Sequence, residues 1–237
     1  MSFKKVLSAT SNSPMLNKLR LFSQALFATS AHHEITVNYS KTFNIIFIHI
    51  PKNGGTSVCR LLEIANSNHH TYQEYHASSF RVEHPLVQTF AIVRNPIDRF
   101  ISLYKYARMP VSYYHNNISP ELAKYGKHQD YEVLREVPID SAVKLLHEGK
   151  LKHDASWLHW QPQVNWLTSS SSKQVGVNRL IRLEELHSQL PLVLGKTKFS
   201  VPVINNSYSK ENIVLSSQSV KALREYYADD YSILGYK

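Results

Sequence analysis

The sequence predicts an α/β protein with a central parallel sheet flanked by helices in three layers. Two apolar runs predict this class: residues 42–50 (TFNIIFIHI) and 87–93 (VQTFAIV) are rich in β-branched and aromatic residues. Such runs are typical of parallel strands that are covered on both faces. Each run is followed by a turn and then by apolar residues at helical spacing, which is the strand–turn–helix order of α/β folds.

Composition indicates a folded protein with a basic surface. The chain of 237 residues is 43% hydrophobic, which suffices for the core of one medium-sized domain and excludes predominant disorder. Lys and Arg number 27 against 18 Asp and Glu, a net charge of +9. This surplus favours an anionic partner such as a phosphate, a sulfate, an acidic sugar, nucleic acid or a lipid surface. A basic face that only aids solubility is the alternative.

Cysteine usage and hydropathy bear on location. Cys59 is the only cysteine, so an internal disulfide and a cysteine-based metal cluster are excluded. A chain without disulfides fits a reducing compartment, and we expect a cytoplasmic protein. The longest apolar runs have four residues. A membrane helix needs about 18, so no transmembrane segment is expected.

The chain is predicted to divide into an N-terminal extension, residues 1–40, and one domain, residues 41–237. The extension has no acidic residue before Glu34. Apolar residues recur in it at helical spacing: Leu16, Leu19, Phe22, Leu26 and Phe27. We expect either a helix that docks on the domain or a leader-like segment, and both alternatives stay open.

The first predicted strand ends in a loop that is suited to anion binding. A glycine turn between a strand and a helix aims backbone N–H groups at an anion, which is a P-loop-like arrangement. The two glycines permit positive φ and close approach, the lysine adds a mobile cation, and the hydroxyls add donors. The candidate anion-binding residues of this loop are Lys52, Asn53, Gly54, Gly55, Thr56 and Ser57.

A second anion site is predicted where the other strand ends. Arg94 follows that strand directly, and Asn95 with Pro96 form a strong helix start. Ser102 lies two turns into this helix. Ligands of open α/β sheets gather outside the carboxyl ends of the strands, so both loops should face one crevice. A guanidinium and a hydroxyl so placed predict a second phosphate site, with an ordinary ion pair of Arg94 as the alternative.

The two segments together resemble the sulfotransferases that use 3′-phosphoadenosine 5′-phosphosulfate (PAPS). More narrowly, they resemble the carbohydrate-type branch, which includes heparan-sulfate 2-O- and chondroitin-type enzymes and bacterial relatives. The resemblance rests on PKNGGTS (51–57) and RNPIDRFISLYKY (94–106) and extends through weaker blocks over roughly residues 43–236. It implies that the first motif holds the 5′-phosphosulfate, while Arg94 and Ser102 hold the 3′-phosphate. It further implies sulfuryl transfer to a hydroxyl, most naturally of a glycan, with no metal and no nucleic-acid partner.

The resemblance also suggests which residues carry the chemistry. Lys52 would neutralise charge on the leaving phosphate as the S–O bond breaks. The proton of the acceptor hydroxyl needs a base, and the 2-O-type members use a histidine between the two loops. In this sequence that residue is His76. Glu74 is the alternative base and His84 follows it, while a purely structural His76 also stays open.

Other residues are assigned more loosely. The adjacent pair His69 and His70 is expected to lie in a loop without a catalytic role. The residues expected to line the acceptor or adenine side are Arg81, His159, Trp160 and Gln163. The residues expected to close over the nucleotide are Asn205, Ser207 and Lys210. Residues 113–125 have the mixed polar and aromatic character of an acceptor-recognition loop.

Two other functions stay open at this stage. A nucleotide or sugar kinase would share the broad fold, but the pattern G-x-x-x-x-G-K-[ST] is absent because the lysine precedes the glycines. A non-catalytic basic module for RNA or acidic glycans would bind its ligand without needing Lys52 or His76. The oligomeric state and the acceptor are not indicated by the sequence.

Overall fold

The computed structural model describes residues 34–65, 67–110, 127–151, 159–169, 172–195 and 213–237. Residues 1–33, which make up most of the predicted extension, lie outside this part. The strands are β1 Tyr39–Ser40, β2 Ile45–Ile48, β3 Gln88–Val93, β4 Thr168–Ser169, β5 Ser172–Val175 and β6 Arg179–Arg182. The helices are α1 Gly55–Leu61, α2 Tyr72–His76, α3 Ser79–Glu83, α4 Pro96–Ala107, α5 Tyr131–Leu134, α6 Ile139–His147, α7 Val164–Leu167, α8 Leu186–Val193, α9 Ser217–Tyr226 and α10 Ala228–Leu234.

The central sheet has the order β1-β2-β3-β6. Strands β2, β3 and β6 run parallel, with Phe47 opposite Phe90 and Ile92 opposite Ile181. Strand β1 pairs antiparallel with β2 at the edge. These strands confirm the predicted central sheet, which is mostly parallel. Strand β2 is shorter than the apolar run 42–50 that predicted it. Asn44 has a left-handed φ of 48°, which breaks the extended backbone just before Ile45.

Helices cover both faces of the sheet. Ile45 and Phe47 of β2 pack on one face against residues of α1 and α8. Ile46 and Ile48 point to the other face, where residues of α2, α7 and α10 cover them. Side chains of a strand alternate between the two faces, so an unbroken apolar run is what a strand needs when both faces are buried.

A separate helical core adjoins the sheet and supports α4. Phe100 and Leu103 of α4 pack with residues of α6 and α9 around the buried Trp160. The start of α4 is fixed as predicted, because the Asn95 side chain accepts hydrogen bonds from Ile97 N (3.0 Å) and Asp98 N (3.4 Å). None of the helices described is long and apolar enough to cross a membrane.

Arg99 of α4 fastens the loop after β2 to the rest of the domain. Its side chain is 1% exposed, and burial lowers its pKa. It donates hydrogen bonds to the carbonyl oxygens of Pro51 (3.1 Å), Gln161 (2.8 Å) and His159 (2.9 Å). The guanidinium carries only donors in a rigid fork, so three carbonyls from two loops can converge on it.

Replacement of Arg99 by Met should therefore destabilise the fold. Arg99→Met leaves three carbonyl groups of the loops without their donor, and we expect the free energy of unfolding to fall by about 2–5 kcal/mol. Urea unfolding followed by circular dichroism measures this. Lys221→Met, at an exposed position of α9, is the control and should stay within about 0.5 kcal/mol of the wild type. Equal losses for the two variants would contradict the role assigned to Arg99.

Candidate anion-binding site

The loop between β2 and α1 has an unusual backbone. Lys52 and Gly54 both adopt left-handed conformations, with φ of 69° and 76°, and Gly54 caps α1. Glycine adopts this conformation freely, whereas a side chain such as that of Lys52 costs roughly 1–2 kcal/mol. Strain of this kind persists only where the surroundings hold it, and it is common at binding sites. Alternating backbone of this type forms concavities lined by N–H groups that bind anions.

The second glycine of the loop is required by a neighbouring ring. A Cβ atom at Gly55 would lie 1.8 Å from Nε2 of His49, inside the imidazole. His49 is 6% exposed. Its pKa is lowered well below the usual value by burial, and further by His69 and Lys52. Glycine at position 55 therefore lets the end of β2 pack directly against the first turn of α1.

Gln163 ties the loop to the end of β3. The side-chain amide of Asn53, 1% exposed, donates to Ile92 O (2.8 Å) and to Gln163 Oε1 (2.7 Å). The same oxygen of Gln163 accepts from Arg94 N (2.9 Å), while its amide nitrogen donates to Arg94 O (2.8 Å). The two predicted anion loops are thus joined by one buried side chain, and they lie side by side.

Asp230 of α10 completes this network. Its carboxylate accepts from the backbone N–H groups of Gln163 (2.9 Å) and Val164 (2.9 Å) and from the Gln163 amide (3.2 Å). Burial raises the pKa of Asp230, although these hydrogen bonds and Arg99 favour the charged form. The carboxylate orients the Gln163 amide. Helix α10 is thereby connected through Gln163 to Asn53 in the loop after β2.

Lys52 and Arg94 are the cations of the site. Arg94 Nη1 approaches the Lys52 carbonyl oxygen at 3.4 Å. Burial and the charge of Arg94 lower the pKa of Lys52 to about 8. In the part of the chain that the structure describes, no carboxylate lies within 4.0 Å of either cation in an ion pair. The alternative of an ordinary ion pair of Arg94 is therefore not seen there, and the pair favours an anionic ligand.

Lys52 lowers the pKa of two buried imidazoles, His49 and His159, and the sequence did not single out His49. His69 Nδ1 donates to His49 O (2.7 Å), and the centroids of these two rings are 4.1 Å apart. Burial lowers the pKa of His69 to about 4. His69 lies in a loop, as expected, and its ring packs on His49, the residue that borders Gly55; its lack of a catalytic role stays a prediction. Its partner His70 instead lies 3.9 Å from the Glu74 carboxylate.

The predicted catalytic candidates lie outside this hydrogen-bonded centre. His76 is exposed at the end of α2, with its ring 5.7 Å from that of Tyr72. Glu74 caps the same helix, accepting from Thr71 N (2.7 Å) and Oγ1 (2.9 Å). Burial raises the pKa of Glu74, but hydrogen bonds from His70 and Thr71 outweigh it and lower the net value. No hydrogen bond or ring contact within the described residues joins His76 to Lys52 or Arg94.

The remaining predicted residues divide between the site and the core. Thr56 is exposed and Ser57 half-buried in the first turn of α1, whereas Ser102 is 9% exposed on α4. Of the residues expected to line the acceptor or adenine side, His159, Trp160 and Gln163 are buried and Arg81 is half-buried, and that expectation stays a prediction. Residues 113–125 and Asn205, Ser207 and Lys210 lie outside the described residues. Within the described ranges, no cluster of three or more His, Cys, Asp or Glu is arranged to hold a metal ion.

Comparison with known proteins identifies the family. The sulfotransferase family model matches residues 36–237, which is most of the chain and includes both loops. The protein therefore belongs to the sulfotransferase family. No curated protein and no solved structure matches the chain significantly.

Binding of an anion should raise the pKa of Lys52 and draw a proton from solvent. With a pKa of about 8 in the free protein, Lys52 is mostly neutral at pH 8.5, and a bound phosphate would restore its charge. We expect uptake of roughly 0.7 proton per 3′,5′-bisphosphoadenosine bound at this pH. Calorimetry in buffers of different ionisation enthalpy measures it.

Lys52→Arg is the matched control for this measurement. The guanidinium stays charged at pH 8.5, so the variant should bind without proton uptake. The second pKa of a phosphate monoester is about 6, and the ligand itself therefore contributes little. Equal uptake by the wild type and Lys52→Arg would mean that another group titrates.

Proposed function

We propose that the protein transfers a sulfuryl group from PAPS to a hydroxyl group of a carbohydrate. The observation that carries the proposal is the pair of half-buried cations, Lys52 and Arg94: the Arg94 guanidinium donates to the Lys52 backbone carbonyl (3.4 Å), its charge lowers the pKa of Lys52, and neither residue lies in a described ion pair. Two adjacent cations repel each other and lose hydration on burial, so an anion with charges at two points would relieve both costs. PAPS carries its phosphosulfate and its 3′-phosphate as two such points.

The donor site follows from the two loops. Lys52 would contact the bridging and terminal oxygens of the phosphosulfate, and Arg94 with Ser102 would hold the 3′-phosphate. The other proposed donor-binding residues are Asn53, Gly54, Gly55, Thr56 and Ser57. Of these, Asn53 is committed to Ile92 and Gln163 through its side chain, so it acts on the donor through the position of the backbone. We also propose that the glycine turn binds the phosphosulfate through its backbone N–H groups, as a P-loop does.

The reaction is an in-line displacement at sulfur. The acceptor oxygen forms a bond to sulfur as the bond from sulfur to the bridging phosphate oxygen breaks. The hydroxyl proton passes to a base, and the products are a sulfate ester and 3′,5′-bisphosphoadenosine. The ammonium of Lys52 stabilises the negative charge that develops on the leaving oxygen, and such pre-positioned charge is a large term in transfer reactions of this kind.

We propose His76 as the base. Its exposure at the end of α2 leaves it accessible to a bulky acceptor such as a glycan. The segment that carries it is anchored near the anion loop, because His69 bonds to the His49 carbonyl. Glu74 is the weaker candidate, since its carboxylate caps α2 and its pKa is lowered.

A cytoplasmic location stays a prediction that rests on the single cysteine.

Family membership favours sulfuryl transfer over the two other functions considered. A kinase would need to prefer ATP, and a purely binding module would not depend on Lys52 or His76. The acceptor cleft of a sulfotransferase distinguishes its members, so the acceptor proposal is coarser than the donor proposal.

Sulfuryl transfer should depend on both Lys52 and His76. Transfer of label from [³⁵S]PAPS to chemically desulfated heparin and to chondroitin measures it. His76→Ala should lower turnover by roughly 10²–10⁴-fold, because a positioned base contributes that much. It should still bind 3′,5′-bisphosphoadenosine, whereas Lys52→Ala should lose both turnover and affinity.

His187→Ala is the control, since His187 is an exposed histidine on α8. It should turn over as the wild type does. Wild-type turnover by His76→Ala would refute His76 as the base and leave the donor site standing. Absence of transfer to either acceptor, together with absence of donor hydrolysis, would count against the proposed activity itself.

A further inference from the structure

A column of buried rings runs from the helical core towards Lys52. The Trp160 indole donates to Asp130 Oδ2 (2.8 Å), and the rings of Trp160 and His128 meet edge to face at 5.9 Å. His128 and His159 stack at 5.1 Å. Both imidazoles meet the ring of Tyr106 edge to face, each at 6.0 Å. Tyr106 is in the last turn of α4 and is the outermost ring of this column.

Hydrogen bonds fix the orientation of the two imidazoles. Asp130 N donates to His128 Nδ1 (3.1 Å), so that nitrogen carries a lone pair. The proton of His128 then resides on Nε2, which donates to His159 Nδ1 (3.0 Å). The backbone of His159 is held as well, because Arg99 donates to the His159 carbonyl (2.9 Å). The edges that His128 and His159 present to Tyr106 are therefore set by the core.

The ammonium of Lys52 lies over the face of Tyr106. Its Nζ is 4.4 Å from the ring centroid, well inside the roughly 6 Å within which a cation–π contact operates. The backbone of Lys52 is left-handed, with φ of 69°. A long lysine side chain has many rotamers, and a fixed ring face selects among them.

A ring face suits this lysine better than a carboxylate would. A carboxylate would neutralise the ammonium and compete with an anionic ligand for it. The π face attracts the charge without cancelling it, so the ammonium is oriented and still available to a phosphate. No ion pair of Lys52 is present among the residues described.

We propose that Tyr106, held by the His128–His159 pair, is a positioning residue for Lys52. Its ring face favours the charged form of Lys52 and fixes the position of the ammonium beside the anion loop. The proposal rests on the proposed function only in taking the donor phosphate as what Lys52 faces. The aromatic ring is the active feature, and the phenol hydroxyl is not.

The test is NMR titration of the ligand-free protein labelled with ¹³C-lysine, with the Lys52 signals assigned by their loss in Lys52→Arg. In the wild type, ring current should shift the ε-protons of Lys52 upfield of those of the other lysines. Tyr106→Leu should abolish that shift and lower the titration midpoint by roughly 0.5–1.5 pH units, the range that a cation–π contact represents. Tyr106→Phe keeps the ring face and should restore both observables.

Other titratable and charged groups near Lys52 also influence its titration midpoint, and none of them is changed in the Tyr106 variants. They are Arg94, His49, His69, His159, Arg99, His128 and Asp130. An unchanged midpoint and shift in Tyr106→Leu would overturn the proposal, as would a change in Tyr106→Phe equal to that in Tyr106→Leu. Should Tyr106→Leu fail to fold, the wild-type ε-proton shift decides: an ordinary value overturns the proposal and an upfield value supports it.

The proposed function and this inference can fail separately. The titration needs no nucleotide, so its outcome does not depend on whether PAPS is the donor. In the transfer assay, Tyr106→Leu should lower kcat more than it weakens binding of 3′,5′-bisphosphoadenosine, because a misdirected ammonium affects the developing charge most. Tyr106→Phe should again behave as the wild type.

Discussion

The side-chain amide of Gln163 holds together three segments that are far apart in the sequence, and the anion site depends on it. It bonds at once to Asn53 in the first loop, to the backbone of Arg94 in the second, and to Asp230 in the last helix. A buried amide with all its groups bonded fixes geometry closely, because any shift leaves a polar atom unpaired. Arg99 adds a second connection through the Pro51 carbonyl. These hydrogen bonds position the loop independently of a ligand, and such pre-organisation lowers the entropy cost of binding.

Burial of positive charge without a close ion pair among the described residues is the main electrostatic feature of the site, although Asp98 and Glu184 partly offset the effect of burial on the pKa of Arg94. The lowered pKa values of Lys52 and of His49, His69 and His159 have the same leading cause, which is burial. The lowered pKa values favour neutral imidazoles, which avoid the cost of a buried charge. The pKa of Lys52, about 8, lies close to neutral pH. An anionic ligand would favour the protonated form of Lys52, so we expect its binding to be coupled to proton uptake above the pKa of the free lysine. We therefore expect the buried cations, the strained loop and the hydrogen bonds of Gln163 and Arg99 to act together in anion binding.

Local patterns made much of this predictable. The unbroken apolar runs predicted β2 and β3, the Asn95–Pro96 pair predicted the start of α4, and the glycine turn predicted the strand–helix connection that carries Lys52. Gln163 and Arg99 were not identified as network residues, because their partners are separated from them by 48 to 110 positions and no local pattern encodes such contacts. The contact of His69 with His49, twenty residues away, was not predicted for the same reason. The base stays a prediction, since no hydrogen bond or ring contact within the described residues joins His76 to the donor loops.

Binding selectivity tests the central claim that Lys52 and Arg94 form a site for a ligand with two anionic points. Calorimetry of 3′,5′-bisphosphoadenosine, ATP and 5′-AMP, with the wild type and Arg94→Ala, measures it directly. The account predicts tight binding that requires the 3′-phosphate, a clear preference over ATP, and loss of that preference in Arg94→Ala. Equal binding of ATP and 3′,5′-bisphosphoadenosine, or an unchanged preference in Arg94→Ala, would contradict it.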